Sequence, residues 1–282
     1  MMTLWQLVEW IEKNLHQPLP LSLLAGKVGY TTRQLGTRFR QAFGYTPAAY
    51  IQKRRLTLAS TLLRFTSRSI TEIALMYQFS QLSSFTRAFK LQFGQSPLTY
   101  RQADCWDMAM FYPSVTVAKF ICHTDIVFLP ENIYIETQHN RKYEMHFGLD
   151  YIIDTERGKI ISDRQIHQRM SELIFSRKTA YPMVVYGSVS PGKECDTELD
   201  IVLGKFNFDV DKNKRVYIPS GNYACFTSKG SPMNIMQFHS WAKGHGMHMH
   251  HLVMKKGPTF SVFDKTPCEG VYKTEYYIPC QV

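Results

Sequence analysis

The chain has 282 residues, 44% of them hydrophobic and 20% charged, with 33 Lys/Arg against 23 Asp/Glu and a formal charge of +10. That length accommodates two domains of ordinary size, and the composition excludes a disordered or low-complexity protein. No uncharged apolar run of about 18 residues occurs, so no membrane span is expected; six scattered cysteines without a Cys-x-x-Cys pair argue against a disulfide framework and for the reduced cytoplasm.

Residues 1 to 15 carry Glu9 and Glu12 and lack a basic segment before an apolar core, so they read as a helix rather than a signal peptide. Thr3-x-x-Gln6 is a capping box, Leu4, Leu7, Val8, Ile11 and Leu15 share one face, and Gln17-Pro18 stops the element. Leu21, Leu24, Ala25 and Val28 form the next apolar stripe. Gly29-Tyr30 makes a tight turn, and Thr31 or Thr32 caps a helix with Leu35, Phe39 and Phe43 facing inward. Gly44 closes that helix. Thr46-Pro47 then opens a long one to Phe65, with Tyr50, Ile51, Leu58, Leu62 and Leu63 available for packing and Lys53, Arg54 and Arg55 outside.

The same arrangement then recurs. Ser69-Ile70-Thr71-Glu72 is a capping box, Ile73, Ala74 and Tyr77 form the stripe, and Ser80 is placed to cap the following helix. Leu35-x3-Phe39-x3-Phe43-Gly44-x2-Pro47-x2-Tyr50 is matched by Phe85-x3-Phe89-x3-Phe93-Gly94-x2-Pro97-x2-Tyr100, with one extra residue in the second turn. Each copy is a helix-turn-helix, and the long helix joins the two.

Charge says what two such modules face. Residues 1–107 hold 13 Lys/Arg and 5 Asp/Glu, and between Glu12 and Asp104 the one acid is Glu72, in a helix's first turn. A basic surface on paired helix-turn-helix units fits a phosphate backbone. On the first reading helix Arg33, Gln34, Thr37, Arg38 and Arg40 point away from the core, and Arg33 and Gln34 suit guanine and adenine edges. On the second, Gln81, Ser83, Ser84, Arg87 and Lys90 point outward, while Leu82 reads as core. Lys53 and Arg54 complete the expected DNA contacts. A rigid connector that separates the reading helices by one helical turn of DNA lets a single chain address two adjacent major-groove segments.

Residues 3–104 resemble the DNA-binding domain of the AraC/XylS transcription regulators, in the branch active in multidrug and oxidative-stress response. The residues that carry this are Gln17-Pro18-Leu19, Ala25-x2-Val28-Gly29-Tyr30, Tyr50-Ile51-x2-Arg54-Arg55-Leu56, Ile70-x2-Ile73-Ala74-x2-Tyr77-x-Phe79 and Phe85-Thr86-Arg87-Ala88-Phe89-Lys90-x-Gln92-Phe93. The resemblance implies a seven-helix, two-module DNA binder that recruits RNA polymerase. Members of that branch place Trp, Gln and Arg where Arg33, Gly36 and Thr37 stand here, and a Gln pair at Leu82 and Ser83. The fold and binding mode therefore carry over, and the recognised sequence does not. Gly36 also weakens its helix by about 1 kcal/mol relative to Ala.

From about Phe111 the chain changes to short segments rich in Tyr, Phe, Val and Ile, which predict strands at 115–121, 143–147, 183–187, 199–203, 223–227 and 271–278. Two helices interrupt them, one from the Ser162-x-x-Gln165 box to about Ser176 and one from about Pro232 to Lys243. The fold class is multidomain: an all-α N-terminal domain over residues 1–106 with two helix-turn-helix modules, then an α+β domain over 111–282.

Residues 217–230, Gly257-Pro258-x-Phe260 and Glu275-Tyr-Tyr-Ile-Pro279 resemble gyrase-inhibitor-like effector-binding domains. The resemblance implies tandem half-repeats around an aromatic cleft for small amphiphiles or lipophilic cations, with a last-strand carboxylate, here Glu275. Tyr277, Trp241, Tyr112 and Phe260 are the accompanying candidates. A carboxylate among aromatic rings is costly to bury without a cation, which a cationic ligand supplies. The alternative sets Glu275 toward water on an edge strand.

His245, His248, His250 and His251, with two methionines between them, suit copper or zinc in residue type, but no acid or Cys stands close, and the stretch reads as a solvated loop. No metal or cofactor is expected. Nothing resembles Gly-x-Ser-x-Gly or a Walker motif, so no enzyme is expected. The function indicated is a ligand-responsive transcription regulator, an activator, acting on promoter DNA. The alternatives are an architectural DNA binder whose C-terminal domain contacts protein, and a hydrolase of small electrophiles resting on Glu275.

Overall fold

The computed structural model describes residues 1–116, 120–146, 151–154, 159–161, 163–175, 182–193, 195–207 and 215–281. Seven α-helices occupy the N-terminal part: α1 (Leu4–Lys13), α2 (Leu21–Val28), α3 (Thr32–Phe43), α4 (Pro47–Phe65), α5 (Ile70–Met76), α6 (Leu82–Phe93) and α7 (Pro97–Gln102). The capping signals account for most of their boundaries. Thr3, Thr31 and Ser69 each accept from the N3 amide and receive the N3 side chain in return, and Ser96 caps α7. Ser80 does not cap α6. Gln81 holds that position, with no side-chain hydrogen bond.

The repeat is a packing repeat. In the first module Phe39 lies 4.7 Å from Phe43 and 5.8 Å from Tyr50; in the second Phe89 lies 4.5 Å from Phe93 and 5.2 Å from Tyr100. Gly44 and Gly94 end α3 and α6 in the left-handed region at φ 81° and 75°, where a Cβ would be strained. Gln78 repeats the left-handed turn of Gly29, at φ 67° against 69°, and donates its side-chain amide to the His16 carbonyl at 2.6 Å; the extra residue of the second turn is Ser80, between Phe79 and the N-cap Gln81. Leu7, Val8, Ile11, Leu24, Leu35, Phe39, Tyr50 and Ile51 form one core.

The rest, among the described residues, is an antiparallel sheet with two longer helices and short helical turns. The strands are β1 (Cys105–Asp107), β2 (His123–Leu129), β3 (Ile133–His146), β4 (Tyr151–Asp154), β5 (Lys159–Ile161), β6 (Met183–Pro191), β7 (Thr197–Phe206), β8 (Arg215–Ile218), β9 (Gly221–Gly230), β10 (Val253–Lys255), β11 (Thr259–Lys265) and β12 (Tyr272–Gln281). Their order is β1-β10-β12-β11-β6-β7-β3-β4-β5, with β9 joining β12 to β2 and β8 beside β3. The helices are α8 (Asp163–Ile174) and α9 (Pro232–Trp241). Both pack on one sheet face through Met170, Ile174 and Ile235 against Tyr143, Met183, Leu203 and Phe263. The opposite face carries Ile135, Val184, Ile218, Tyr223 and Phe260.

Three of the six expected strands, 183–187, 199–203 and 223–227, lie inside longer ones, and 143–147 and 271–278 overlap β3 and β12. Of the expected strand at 115–121 none of the described residues is strand, since 115–116 is a turn, 120–121 are irregular and the strand begins at His123. Residues 117–119, Phe147, Ser162 and Ser176 lie outside the described residues. The join between the domains is interleaved. One unit comprises Met1–Arg64, Arg68–Ala103 and Met110–Ala118; the other comprises Phe65–Ser67, Asp104–Ala109 and Lys119–Val282. Residues 105–107 pair with β10, whereas Tyr112 and Ser114 hydrogen-bond to α4. No described helix is long and apolar enough to cross a membrane, and all six cysteines are free.

Candidate nucleic-acid interface and ligand face

The first reading helix, α3, buries Leu35 and Phe39 and exposes Arg33, Gln34, Thr37, Arg38 and Arg40. Not all of these are free to read bases. Gln34 Oε1 accepts the Thr31 amide at 2.9 Å, so its carbonyl closes the capping box and is not offered to an adenine unless the box opens. Thr37 donates its hydroxyl to the Arg33 carbonyl, and the Arg38 guanidinium lies 4.9 Å from the Tyr30 ring centroid. Arg33, on the first turn, makes no side-chain hydrogen bond among the described residues.

On α6, Gln81, Ser83, Ser84, Arg87 and Lys90 are all exposed as expected, and Phe85, Phe89 and Phe93 face the core. Leu82, read from the sequence as core, is instead 44% exposed. It occupies the first helical position, one turn before Phe85, where the chain has not yet reached the core. The second reading surface thus presents an apolar residue at the end that enters a groove in helix-turn-helix proteins.

The basic triplet on α4 needs the largest correction. Arg54 is 7% exposed, and its guanidinium is held by both Glu12 carboxylate oxygens and the Tyr112 carbonyl. It lies four residues after Tyr50 and three after Ile51, on the helix's buried stripe, so it cannot reach phosphate without unpacking α1. Arg55 donates to the carbonyls of Leu15 and Gln17, and Lys53 sits 3.7 Å above the Tyr112 ring. Burial and the neighbouring Glu12 carboxylate raise the Tyr50 phenol. Arg54 and Arg55 are architecture, whereas Lys53 stays partly exposed.

The second unit presents a row of rings across three neighbouring strands. Tyr277 of β12 is opposite Phe260 of β11, which is opposite Tyr186 of β6. Phe260 and Tyr277 stack at 4.3 Å with 3° between their planes, and Tyr223 meets Phe260 edge-on at 5.5 Å. Glu275 is on the same face and on an interior strand, with β11 on one side and β9 on the other, which removes the edge-strand alternative. Its two oxygens accept from Lys273 Nζ at 2.6 Å and Tyr277 Oη at 2.8 Å. Burial works to raise the Glu275 carboxyl, but those hydrogen bonds and the Lys273 charge outweigh it and hold the group below the usual range.

Of the five residues expected together, Glu275, Tyr277 and Phe260 assemble. Trp241 and Tyr112 do not. Trp241 packs among Phe226, Phe238, Phe120 and His245 on the helix side of the sheet, and Tyr112 belongs to the helical unit against Tyr45 and Lys53. Sequence reasoning missed Tyr186, Tyr223, Lys273 and Asp200. Lys273 was within reach, since two-residue alternation puts it beside Glu275; the others needed strand register.

The histidine-rich stretch begins in a π-helical turn, Ala242–Gly246, and continues through a helical turn, Met247–Met249. His245 stacks on Trp241, His248 Nδ1 is 3.0 Å from the Met108 carbonyl, and His250 is 3.2 Å from Thr124 Oγ1. Among the described residues no three His, Cys, Asp or Glu side chains gather as a metal site.

Comparison with known proteins bears on both units. Residues 24–103 match the family described as a helix-turn-helix domain. The chain is 30% identical over 261 residues to the transcriptional regulator Rob of Salmonella typhimurium, covering 89% of this chain and 86% of that one. It is 29% identical over 259 residues to the right origin-binding protein of Escherichia coli K12, with the same coverage. Over 99 residues it is 46% identical to the transposon Tn10 TetD protein of Escherichia coli, covering 35% of this chain and 72% of that protein. The first of these is named a transcriptional regulator and the second an origin-binding protein.

Proposed function

Because the chain belongs to the AraC/XylS family of DNA-binding transcription regulators, in its Rob-like branch, we propose that it is a cytoplasmic activator whose DNA-bound output is set by a small amphiphilic or cationic ligand. Residues 1–106 act as the DNA-binding domain and 111–282 as a gyrase-inhibitor-like effector domain. A monomer engages promoter DNA through two adjacent major-groove segments and recruits RNA polymerase. Arg33 reads a base directly, with Arg38, Arg40, Arg87, Lys90 and Lys53 as backbone contacts and Gln81, Ser83, Ser84 and Thr37 as polar ones.

The observation that carries this reading is the duplicated module, with the same rings packed inside and an exposed polar helix face outside, in the most basic third of the chain. For the ligand, support comes from the Tyr186–Phe260–Tyr277 row beside Glu275. Binding selection on randomised duplex DNA tests the first half, and the absence of any enriched motif would sink it. Thermal shift of the full chain against bile salts, fatty acids and cationic dyes tests the second.

A second reading, an architectural DNA binder with a protein-docking C-terminal domain, is favoured by one feature. Strand β2 pairs with β9 alone among the described strands and exposes Ile126 and Phe128, the latter at 65%. Silence of the domain toward every ligand, together with capture of DNA lacking an enriched motif, would favour it.

A further inference from the structure

The carboxylate expected to meet a cationic ligand is already occupied. Glu275 has Lys273 on one oxygen and the Tyr277 hydroxyl on the other, so the pair carries no net charge. Another carboxylate on the same sheet face, Asp200, lies opposite Lys142 of β3 and yet keeps one oxygen, the buried Oδ1, without a hydrogen-bond partner. A buried, unsatisfied carboxylate oxygen is a standing cost to the fold, relieved by a donor, a cation or a proton.

Strand register places Asp200 relative to the rings. Tyr277, Phe260, Tyr186 and Val202 are opposite one another across β12, β11, β6 and β7. Glu275, two residues before Tyr277, lies on one side of this row. Asp200, two residues before Val202 and opposite Ser188, lies on the other. From the usual strand spacing and rise, the two carboxylates are about 20 Å apart, with the rings between them. Burial raises the Tyr186 phenol, with Ser188, Asp200 and Tyr217 as its polar neighbours at this end of the row. Burial raises the Asp200 carboxyl and the nearby Lys142 charge works against that rise.

We propose that Asp200, rather than Glu275, anchors the cationic head of the effector, with the ligand's flat apolar body lying on Tyr186 and Tyr277, which the buried Phe260 backs. The inference rests on reading this face as the effector site and narrows the ligand class. The effector is a planar or elongated amphiphile with a protonated, hydrogen-donating nitrogen at one end. The Lys273–Glu275 pair holds the far end neutral, and so disfavours a second positive charge there.

The test uses two xanthene dyes of the same ring shape and opposite charge, rhodamine 123 and fluorescein, read by fluorescence anisotropy against the full chain. Rhodamine 123 is expected to bind and fluorescein at least tenfold more weakly. D200N is expected to weaken rhodamine 123 at least tenfold and E275Q less than threefold, with D200S repeating the measurement should D200N be insoluble. Equal rhodamine binding by D200N and the unaltered chain overturns the role of Asp200 while leaving the face as a ligand site. Loss in E275Q but not in D200N returns the anchor to Glu275. Failure of the unaltered chain to bind either dye counts against both the anchor and the effector reading.

Discussion

The Arg54 guanidinium and the Glu12 carboxylate meet at two points, Nε 2.9 Å from Oε1 and Nη2 2.8 Å from Oε2. The pair ties α4 to α1, and Tyr50 adds a hydroxyl to the same carboxylate at 2.6 Å. Removing one partner leaves the other charge in a largely buried place. Arg54→Met is therefore expected to cost about 3 kcal/mol in urea unfolding, and the double variant with Glu12→Gln to recover part of it. A stable Arg54→Met protein with weakened DNA binding would instead return Arg54 to the interface.

Base reading and backbone binding separate by mutation. Arg33→Ala is expected to relax sequence preference by about 1–3 kcal/mol at one position, whereas Lys53→Ala weakens all sequences alike. Binding selection followed by titration of matched and mismatched duplexes measures both. An unchanged motif in Arg33→Ala would remove α3's first turn from the readout.

Gln34 is a different case, because its carbonyl belongs to the helix cap. Gln34→Ala is expected to lower the melting temperature as loss of a capping partner does, by the equivalent of roughly 1 kcal/mol, and to leave the preferred motif intact. A shifted motif at unchanged stability would show that the box opens on DNA.

Acid should weaken the second unit through His239. It is half-buried, stacked 4.5 Å from Tyr276 and 2.9 Å from the Thr274 hydroxyl, and desolvation pushes its pKa down to about 3. The unfolded chain takes up that proton near pH 6.5 and the folded chain does not until about 3, so stability falls as pH drops through this window. The slope approaches about 1.4 kcal/mol per pH unit below 6. Urea titrations at pH 7 and 5 should show this loss, and His239→Gln should flatten it. An equal slope in the variant would assign the effect to other groups.

Gly204 offers a packing test. A Cβ there would lie 2.0 Å from the Glu136 carbonyl oxygen, beside the register shift in β3 between Thr137 and His139. Gly204→Ala is expected to destabilise the sheet by at least about 1–3 kcal/mol, seen as an earlier thermal transition. Full retention of the melting temperature would mean that β3 shifts freely.

Much of the helical unit was legible because its signals are local. Capping boxes, apolar stripes and glycine stops act within one or two turns, and the repeat of Phe39–Phe43 by Phe89–Phe93 is written in consecutive residues. Arg54 shows where local reading fails. Three adjacent basic residues look like one patch, but successive helix positions turn by 100°, and the middle one falls on the inward side. In the sheet the failures have a different origin. Asp200, Tyr186 and Tyr277 come together through pairings between strands distant in sequence, and nothing in the vicinity of residue 200 encodes its distance from residue 277. The Trp241 error has the same source, because only the sheet shows which of its two faces α9 covers.

Helix α4 is fastened along its length: Arg54 and Arg55 tie it to α1 and to the loop after it, and Gln92 of α6 reaches the Lys53 carbonyl and the Thr57 hydroxyl. Such a strut has no hinge at which the two readers could re-phase. An operator lengthened by five base pairs between its halves would rotate the second half to the far side of the duplex, beyond any adjustment the protein can make. Occupancy should then fall to that of a single half-site, and a full-turn insertion should not rescue it.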